Sequence, residues 1–550
     1  MRPLRYLLLI AGVSLLGACE DPLKVTNVND PDRDRVLSQP ADLEKFITDS
    51  WSAFHNGQFA ANDAIRPQVL VAGLENFSDL ANFGMNLRVA IPRNFIDNQR
   101  GNPVEGGNYR DFLRFSRSAR SAAVGLAQLA KPGFSIGTPA ADARATAFAR
   151  FVLGVSLGSL ALVYDSASII TPEDDPELVP PLSSYTAVSA AGLANLDEAI
   201  SIAQANPGAF PLPTTWLNTA TTTSQADFIR VVRSYRAQLR TAAARTPAER
   251  AAVDWNAVIA DAENGITQDF RLQENPAGGW SIGWFIQHFV PGGWHRMHQF
   301  MIGFADTSGA FDAWLALPRA SRAMFLIQTP DKRFPPGATR ADQQSQPTST
   351  SPLPAGRYFR NRPPGDDIVG DPLGNSMYDH YRFRAFYDAS RIGAFPVLTK
   401  AEIDLLAAEG YIRQSNWALA MAKINTTRTG AGLPALAAIT SLNDPVPGGN
   451  ACVPRVPQGP GFTSAACGNI WEAMKWEKRM ETAYTGYGSW FFDSRGWGDL
   501  PQGTALHWPV PNTEMDTRRG TFYNLGGCQN LAATPAQSAA ANTYGLTCQS

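Results

Sequence analysis

Sugars are held by flat aromatic faces, which cover pyranose C–H groups, and by amides and charged groups that take the hydroxyls. The chain concentrates such side chains between Gly279 and Phe304, where Trp280, Trp284 and Trp294 are interleaved with Phe285, Phe289 and Phe300. The phenylalanines read as core. The three tryptophans stand beside glycine turns and are candidates for a ligand platform, with burial in a core as the alternative. An Asn-rich stretch from Asn76 to Asn98 offers amides and rings together, and Asn82, Phe83, Asn94 and Phe95 are its candidate ligand contacts. The alternative there is a loop whose asparagines cap their own backbone.

Other patterns would imply catalysis or a metal. Gly154-Val155-Ser156-Leu157-Gly158 spells the GxSxG nucleophile elbow. That elbow needs a strand before the serine and a sharp turn at it, whereas a helical stripe runs through this segment. Glu477 and Glu481 lie four residues apart on a predicted helix. Glycosidase carboxylates flank a cleft at set distances. These two alternate with Lys478 and Arg479, and the expectation is an ion-pair network with Asp493 and Arg495. His288, His295 and His298 are half of the six histidines. His295-Arg296-Met297-His298 lacks the glutamate of HExxH and follows Pro291-Gly292-Gly293, so packing or ligand contact is preferred to metal binding. Asp30, Asp32 and Asp34 begin like a calcium loop, but Arg35 stands where glycine is needed and Ala41 where the bidentate glutamate belongs. No catalytic residue, metal or cofactor is expected.

The N-terminus speaks to location. Arg2 and Arg5 precede the apolar run Leu7 to Leu16, and Gly17-Ala18-Cys19 follows. A basic start, a short apolar stretch and a small-residue cut site read as a signal peptide, too short for a permanent span. Cys19 after Gly-Ala resembles the lipobox of bacterial lipoproteins, in which the thiol is acylated and becomes residue one. Several acyl chains hold a protein stably to a membrane. The remaining cysteines, Cys452, Cys467, Cys528 and Cys548, are even in number and permit three pairings. The local pairs Cys452–Cys467 and Cys528–Cys548 are favoured, because a crosslink most helps Gly/Pro/Asn-rich sequence to order. A zinc site has no CxxC spacing behind it. A formal net charge of −2 without a basic cluster argues against nucleic acid.

These groups need a scaffold, and the periodicity supplies a helical one. Phe148, Phe151, Val155, Gly158 and Leu162 form one stripe, with Gly154 and Gly158 allowing close approach of a neighbour. Arg150 interrupts the run, which argues against a membrane span. Further stripes are Leu193, Leu196, Ile200 and Ala203; Val231, Tyr235 and Leu239; and Trp255, Ile259, Ala262 and Ile266. Thr399 and Glu402 predict a capping box before a helix through Ile412. Gln414-Ser415-Asn416 turns the chain, and Trp417, Met421 and Ile424 face inward from the next helix. Helix pairs of this length resemble tetratricopeptide units, which stack because none buries its face alone. Residues 66–110, 270–395 and 432–468 carry the Pro, Gly and aromatic punctuation and read as loops and short strands.

Several segments together are similar to the SusD/RagB outer-membrane lipoproteins. They are Leu23-Lys24-Val25-Thr26-Asn27 after Cys19, the Ala147 to Tyr164 helix, Leu398 through Gly410, and Ile424-Asn425 with Arg428 and Ala431-Gly432-Leu433-Pro434. The most specific is Trp476-Glu477-Lys478-Arg479-Met480-Glu481 with Gly486 and Trp490 to Gly498. The family's acid before Gly486 is Thr485 here, and Tyr164-Asp165 lacks the family's intervening glycine. The resemblance implies a mostly α fold, a tetratricopeptide-like superhelix with a loop-rich second lobe. It implies oligosaccharide or peptide capture, without catalysis, for a SusC-type TonB-dependent outer-membrane barrel, by a lipid-anchored protein facing the exterior. The expected division is a signal peptide at 1–18, a lipidated tether at 19–40 and a helical region at 41–270. A loop-rich aromatic ligand-binding lobe at 271–397 and a C-terminal region at 398–550, with a helix pair, the signature helix and the cysteine-bearing loops, complete it. Two rival readings are an exported glycan-cleaving hydrolase and a helical-repeat envelope adaptor that binds no nutrient.

Overall fold

A helix that is apolar on every side belongs inside, and Pro139–Val163 is that helix in the computed structural model of the chain. The structure describes residues 37–59, 65–102, 104–175, 178–283, 295–345, 358–363, 370–532, 537–540 and 542–549. The signal segment, Cys19, the three tether aspartates, Trp284, Phe285, His288, Phe289 and Trp294 lie outside the described residues. Thr138 caps the central helix by accepting the Ala141 N–H at 3.1 Å, and Pro139 and Asp142 occupy its first turn as N-terminal chemistry favours. It is long and apolar enough to cross a membrane, yet protein encloses it. Arg150 reaches outward to Glu198 at 2.9 Å.

The glycines of the first stripe fulfil the close-approach expectation. A Cβ on Gly192, in the Tyr185–Ala205 helix, would lie 2.9 Å from the Gly154 carbonyl oxygen and 3.0 Å from the Gly158 nitrogen. The two helices therefore touch backbone to backbone. Helices Pro40–Phe59, Glu105–Leu129 and Gln225–Ala242 pack around the same central rod. The second group, Trp255–Glu263, Lys400–Arg413, Trp417–Gly430 and Ile470–Thr482, stacks beyond them. One hydrophobic core runs through both groups, from Leu37 to Leu546.

Some local expectations are corrected. Ile266 lies past the end of the Trp255–Glu263 helix. Thr399 accepts the Glu402 N–H at 3.2 Å, but the Glu402 carboxylate does not close the box. It instead accepts from Gln238 at 2.8 Å and Ser489 at 3.3 Å. On the Trp417–Gly430 helix the buried seam is Ala420, Ile424 and Arg428, with Trp417 and Met421 half-buried. The 66–110 stretch holds helices Ile65–Ala72 and Met85–Val89 because its Val69-Leu70-Val71 run is buried. The excursion between the helical groups carries paired short strands. Phe270–Glu274 pairs antiparallel with Gly393–Leu398, bringing both ends of the excursion together. Asn76–Phe77 pairs with Arg296–Met297.

The Ile470–Thr482 helix is buried on all sides although it carries charges. Glu477 and Glu481 both face Arg333, at 2.9 and 3.2 Å, and Arg333 also grips Asp331 at 2.7 Å. Arg382 approaches Glu481 to 3.5 Å, and the Tyr358 hydroxyl donates to it at 2.7 Å. The expected partners were different. Asp493 pairs instead with Lys478 at 2.7 Å and Arg250 at 3.0 Å, while Arg495 donates to the Leu506 and Ala242 carbonyls. The reason is direction: the glutamate face of the helix points to the lobe and the lysine face to the following helix. Replacing Arg333 with Met should leave buried acids uncompensated and cost about 3–5 kcal/mol. Scanning calorimetry should read this as a clearly lower melting temperature, and an unchanged melt would refute the clamp.

Candidate functional site

Two of the catalytic readings end inside the protein. Ser156 sits mid-helix, fully buried, and donates to the Ser118 hydroxyl at 2.9 Å. Glu477 and Glu481 are sealed against Arg333. A closed cavity beside Glu402, Lys478 and Asp493 measures about 20 Å³, room for about one water molecule and too small for a sugar. His295 and His298 flank the Arg296–Met297 strand and are buried. Among the described residues no cluster of His, Cys, Asp and Glu is arranged to hold a metal.

Two open concavities meet at the cysteine-bearing loops, apart from a third, of about 540 Å³, beside Thr221, Asp227 and Arg271. A hollow of about 410 Å³ is lined by Phe300, Leu315, Leu317, Arg319, Arg322 and Leu546 among others. A second, of about 530 Å³, is lined by Asn443, Gln458, Asn469, Glu472 and Pro457 among others. Phe462 and Tyr544 line both and form the wall between them.

The wall is positioned by two braced loops. Strand Arg455–Gln458 pairs antiparallel with Ser464–Cys467, and the Cys452–Cys467 disulfide closes the base of this hairpin. Its Gly459-Pro460-Gly461 tip presents Phe462 at a positive φ of 51°. Opposite, Cys528–Cys548 ties down the C-terminal segment. Gly545 has φ +84°, and a Cβ there would lie 2.2 Å from Phe462 Cδ2, so the ring rests on bare backbone. Only glycine combines that φ with that proximity. Tyr544 is held from behind: Lys475 donates to its hydroxyl at 2.6 Å, and the hydroxyl donates to Glu472 at 2.7 Å.

The candidate residues read from sequence distribute around this face unevenly. Trp280 is half-buried, 4.9 Å from the His55 ring and against the main core. Asn82 and Asn94 are exposed, Phe83 is half-buried against a satellite cluster with Phe77 and Met85, and Phe95 is exposed. Asn76 and Asn98 serve structure: Tyr484 donates to Asn76, while Asn98 donates to the Val510 carbonyl at 2.7 Å and accepts from Tyr523. The segment before Asn94 and Phe95 is tied to Arg319 of the first hollow, though neither residue lines it. Arg319 donates to the Ile91 carbonyl at 2.7 Å, Cys528 donates its N–H to the Arg93 carbonyl at 2.9 Å, and Gly527 backs Phe95. Exposed apolar side chains mark the rim: Phe95 at 36%, Leu317 at 42% and Leu442 at 47%. Phe462 and the amides near it were missed in the sequence. Their signal was present: a Gly-Pro-Gly-aromatic tip between two cysteines is a rigid loop presenting one ring.

No family model matches the chain, and no curated protein matches it. Solved structures do. A SusD homolog from Parabacteroides distasonis is 14% identical, with a TM-score of 0.53 over 82% of this chain and 84% of that one. A SusD-like protein from Bacteroides fragilis is 14% identical, with a TM-score of 0.50 over 85% and 88%. The chain thus has the SusD-like fold, a mostly α, tetratricopeptide-like helical scaffold with a loop-rich lobe.

Burial gives this scaffold a pH dependence. Desolvation, then the Arg296 charge, lowers the His295 pKa to about 3. Desolvation, then Arg93 and Arg319, does the same for His298. His380 and His507 are lowered well below 6.5, chiefly by burial. Each ring stays neutral in the fold while the unfolded chain takes up a proton below about pH 6.5. The histidine contribution is therefore fully present above that pH and is lost as pH falls, for His295 and His298 between 6.5 and about 3, by up to ~1.4 kcal/mol per pH unit for each ring, while Glu75, raised by burial to about 7, acts in the opposite sense. From pH 7 to 5 the melting temperature of the parent should fall relative to that of a His298→Gln variant; a difference between the two that does not change with pH would count against the buried neutral ring.

Proposed function

We propose that the chain is an outer-membrane lipoprotein, anchored through Cys19 and facing the exterior, that captures oligosaccharide and passes it to a SusC-type TonB-dependent barrel. It binds its ligand and does not cleave it. The observation that carries this is the pair of open hollows sharing Phe462. A half-exposed ring flanked by amides is the chemistry that sugar faces and hydroxyls require, and the hollows lie on loops fixed to a rigid scaffold. Asn82, Phe83, Asn94, Phe95 and the three tryptophans Trp280, Trp284 and Trp294 supply further contacts on the same reading. Peptide is the alternative ligand. The SusD-like fold supports the assignment, and so does the removal of Ser156 and of the Glu477–Glu481 pair from any accessible surface.

Calorimetric titration of the mature chain against an oligosaccharide and peptide panel tests the capture. Phe462→Ala should weaken the best ligand by at least about threefold, the worth of one aromatic contact. Silence across the panel, or reducing ends released from a bound glycan, would defeat the proposal. Mass spectrometry of membrane-extracted protein should find Cys19 N-terminal and acylated, and Cys19→Ala should release the chain from membranes. An unmodified secreted chain would remove the anchor.

A further inference from the structure

The two hollows differ in charge. Among the described residues lining the first, the charged ones are Arg319 and Arg322, both cationic. The second carries amides and one acid, Glu472, already paired with Lys475 at 2.8 Å. Arg322 is fixed before any ligand arrives. Its guanidinium lies 4.4 Å over the Trp314 ring, Nε donates to the Leu317 carbonyl at 3.1 Å, and Nη2 donates to the Leu315 carbonyl at 3.2 Å. Nη1 remains for a ligand. Arg319 is oriented by Asp371 and by the Ile91 carbonyl. Burial, and then the charge of Arg319, lowers the Arg322 pKa; Arg319 is met by Asp371, and an anion at Arg322 would offset the charge that has no acid beside it among the described residues. A planar, preorganised guanidinium suits a carboxylate better than a hydroxyl.

We propose that the ligand is an acidic oligosaccharide, one uronate-type carboxylate of which docks on Arg322 beside Arg319 while the rest of the sugar chain continues past Phe462 into the amide-lined hollow. This rests on the binding function proposed above and names the class of ligand. Sugar is favoured over peptide because the anion site opens onto a ring and then onto Asn443 and Gln458, exposed amides that suit hydroxyls.

The test is calorimetric titration of the mature chain with oligogalacturonate, with the same oligomer methyl-esterified, and with a peptide ending in a free carboxylate. The acidic oligomer should bind about tenfold more tightly than its ester, and added salt should narrow the gap. Arg322→Gln should erase the preference by bringing the acidic oligomer down to the affinity that the same variant has for the ester, and Arg322→Lys should restore part of it. A melt of Arg322→Gln that matches the parent protein excludes misfolding as the cause. Equal affinity for both oligomers, or a preference that survives Arg322→Gln, would overturn the acidic-ligand reading and leave oligosaccharide capture standing. Peptide binding that needs Arg322, without uronate binding, would overturn the sugar assignment. No binding of any glycan would overturn both proposals.

Discussion

Five charged side chains buried on one helix, Lys475, Glu477, Lys478, Arg479 and Glu481, dictate what can surround it. A buried charge without a partner costs several kcal/mol, whereas a well-paired one adds little net stability. Such a helix does not strengthen the fold so much as select it. Arg333 must come from the loop-rich lobe, Asp493 from the next helix, and Asp499, paired with Lys475 and Arg479, from the turn after it. Arg250 then links Asp493 to Glu409 on the Lys400–Arg413 helix at 2.6 Å, and Arg413 grips the same carboxylate. Both the helical group and the lobe are thereby registered to one element.

The same helix sets the binding face. Its first turns hold the Tyr544 hydroxyl through Lys475 and Glu472, so the wall between the hollows is an extension of the charged core. The disulfides then confine the two loops that meet at Phe462 and Gly545. Side chains fixed in this way lose little entropy when a ligand arrives, which is where rigid sites gain affinity over mobile ones.

How much of this the residues announced depends on the range of the interaction. The stripes through Phe151, Tyr235 and Leu196 are local periodicity, and each lies on a buried helix face as read. Gly154 and Gly158 announced close packing because a missing side chain in an apolar stripe has few other uses. The Glu477–Glu481 pair was legible as structural, but its partners were not. Arg333 is more than 140 positions away in sequence, and nothing local selects it over Arg495. The site was the least legible part. Its wall joins residues from the cysteine-bearing hairpin and the C-terminal segment, and its cations come from a third loop, none of which shares a periodicity. The sequence drew attention to tryptophans because they are the strongest sugar platforms by type. Trp280, the one within the described residues, spends much of its ring on the main core beside His55.

On the capture proposed above, the shape of the site suits a ligand that is held and then released. Chemistry on a bound sugar needs acids held in a dry cleft at fixed separation. Here Glu477 and Glu481 are spent inside the scaffold, Glu472 at the second hollow is paired with Lys475, and the hollows are open and bordered by exposed Leu317 and Leu442. An open site can be preorganised and still release quickly, and differences between related complexes reside mostly in the departure rate. A protein that hands its cargo to another needs that property. On the function proposed above, rigid walls would supply the affinity that capture needs, and an open mouth would let the next binder take the sugar.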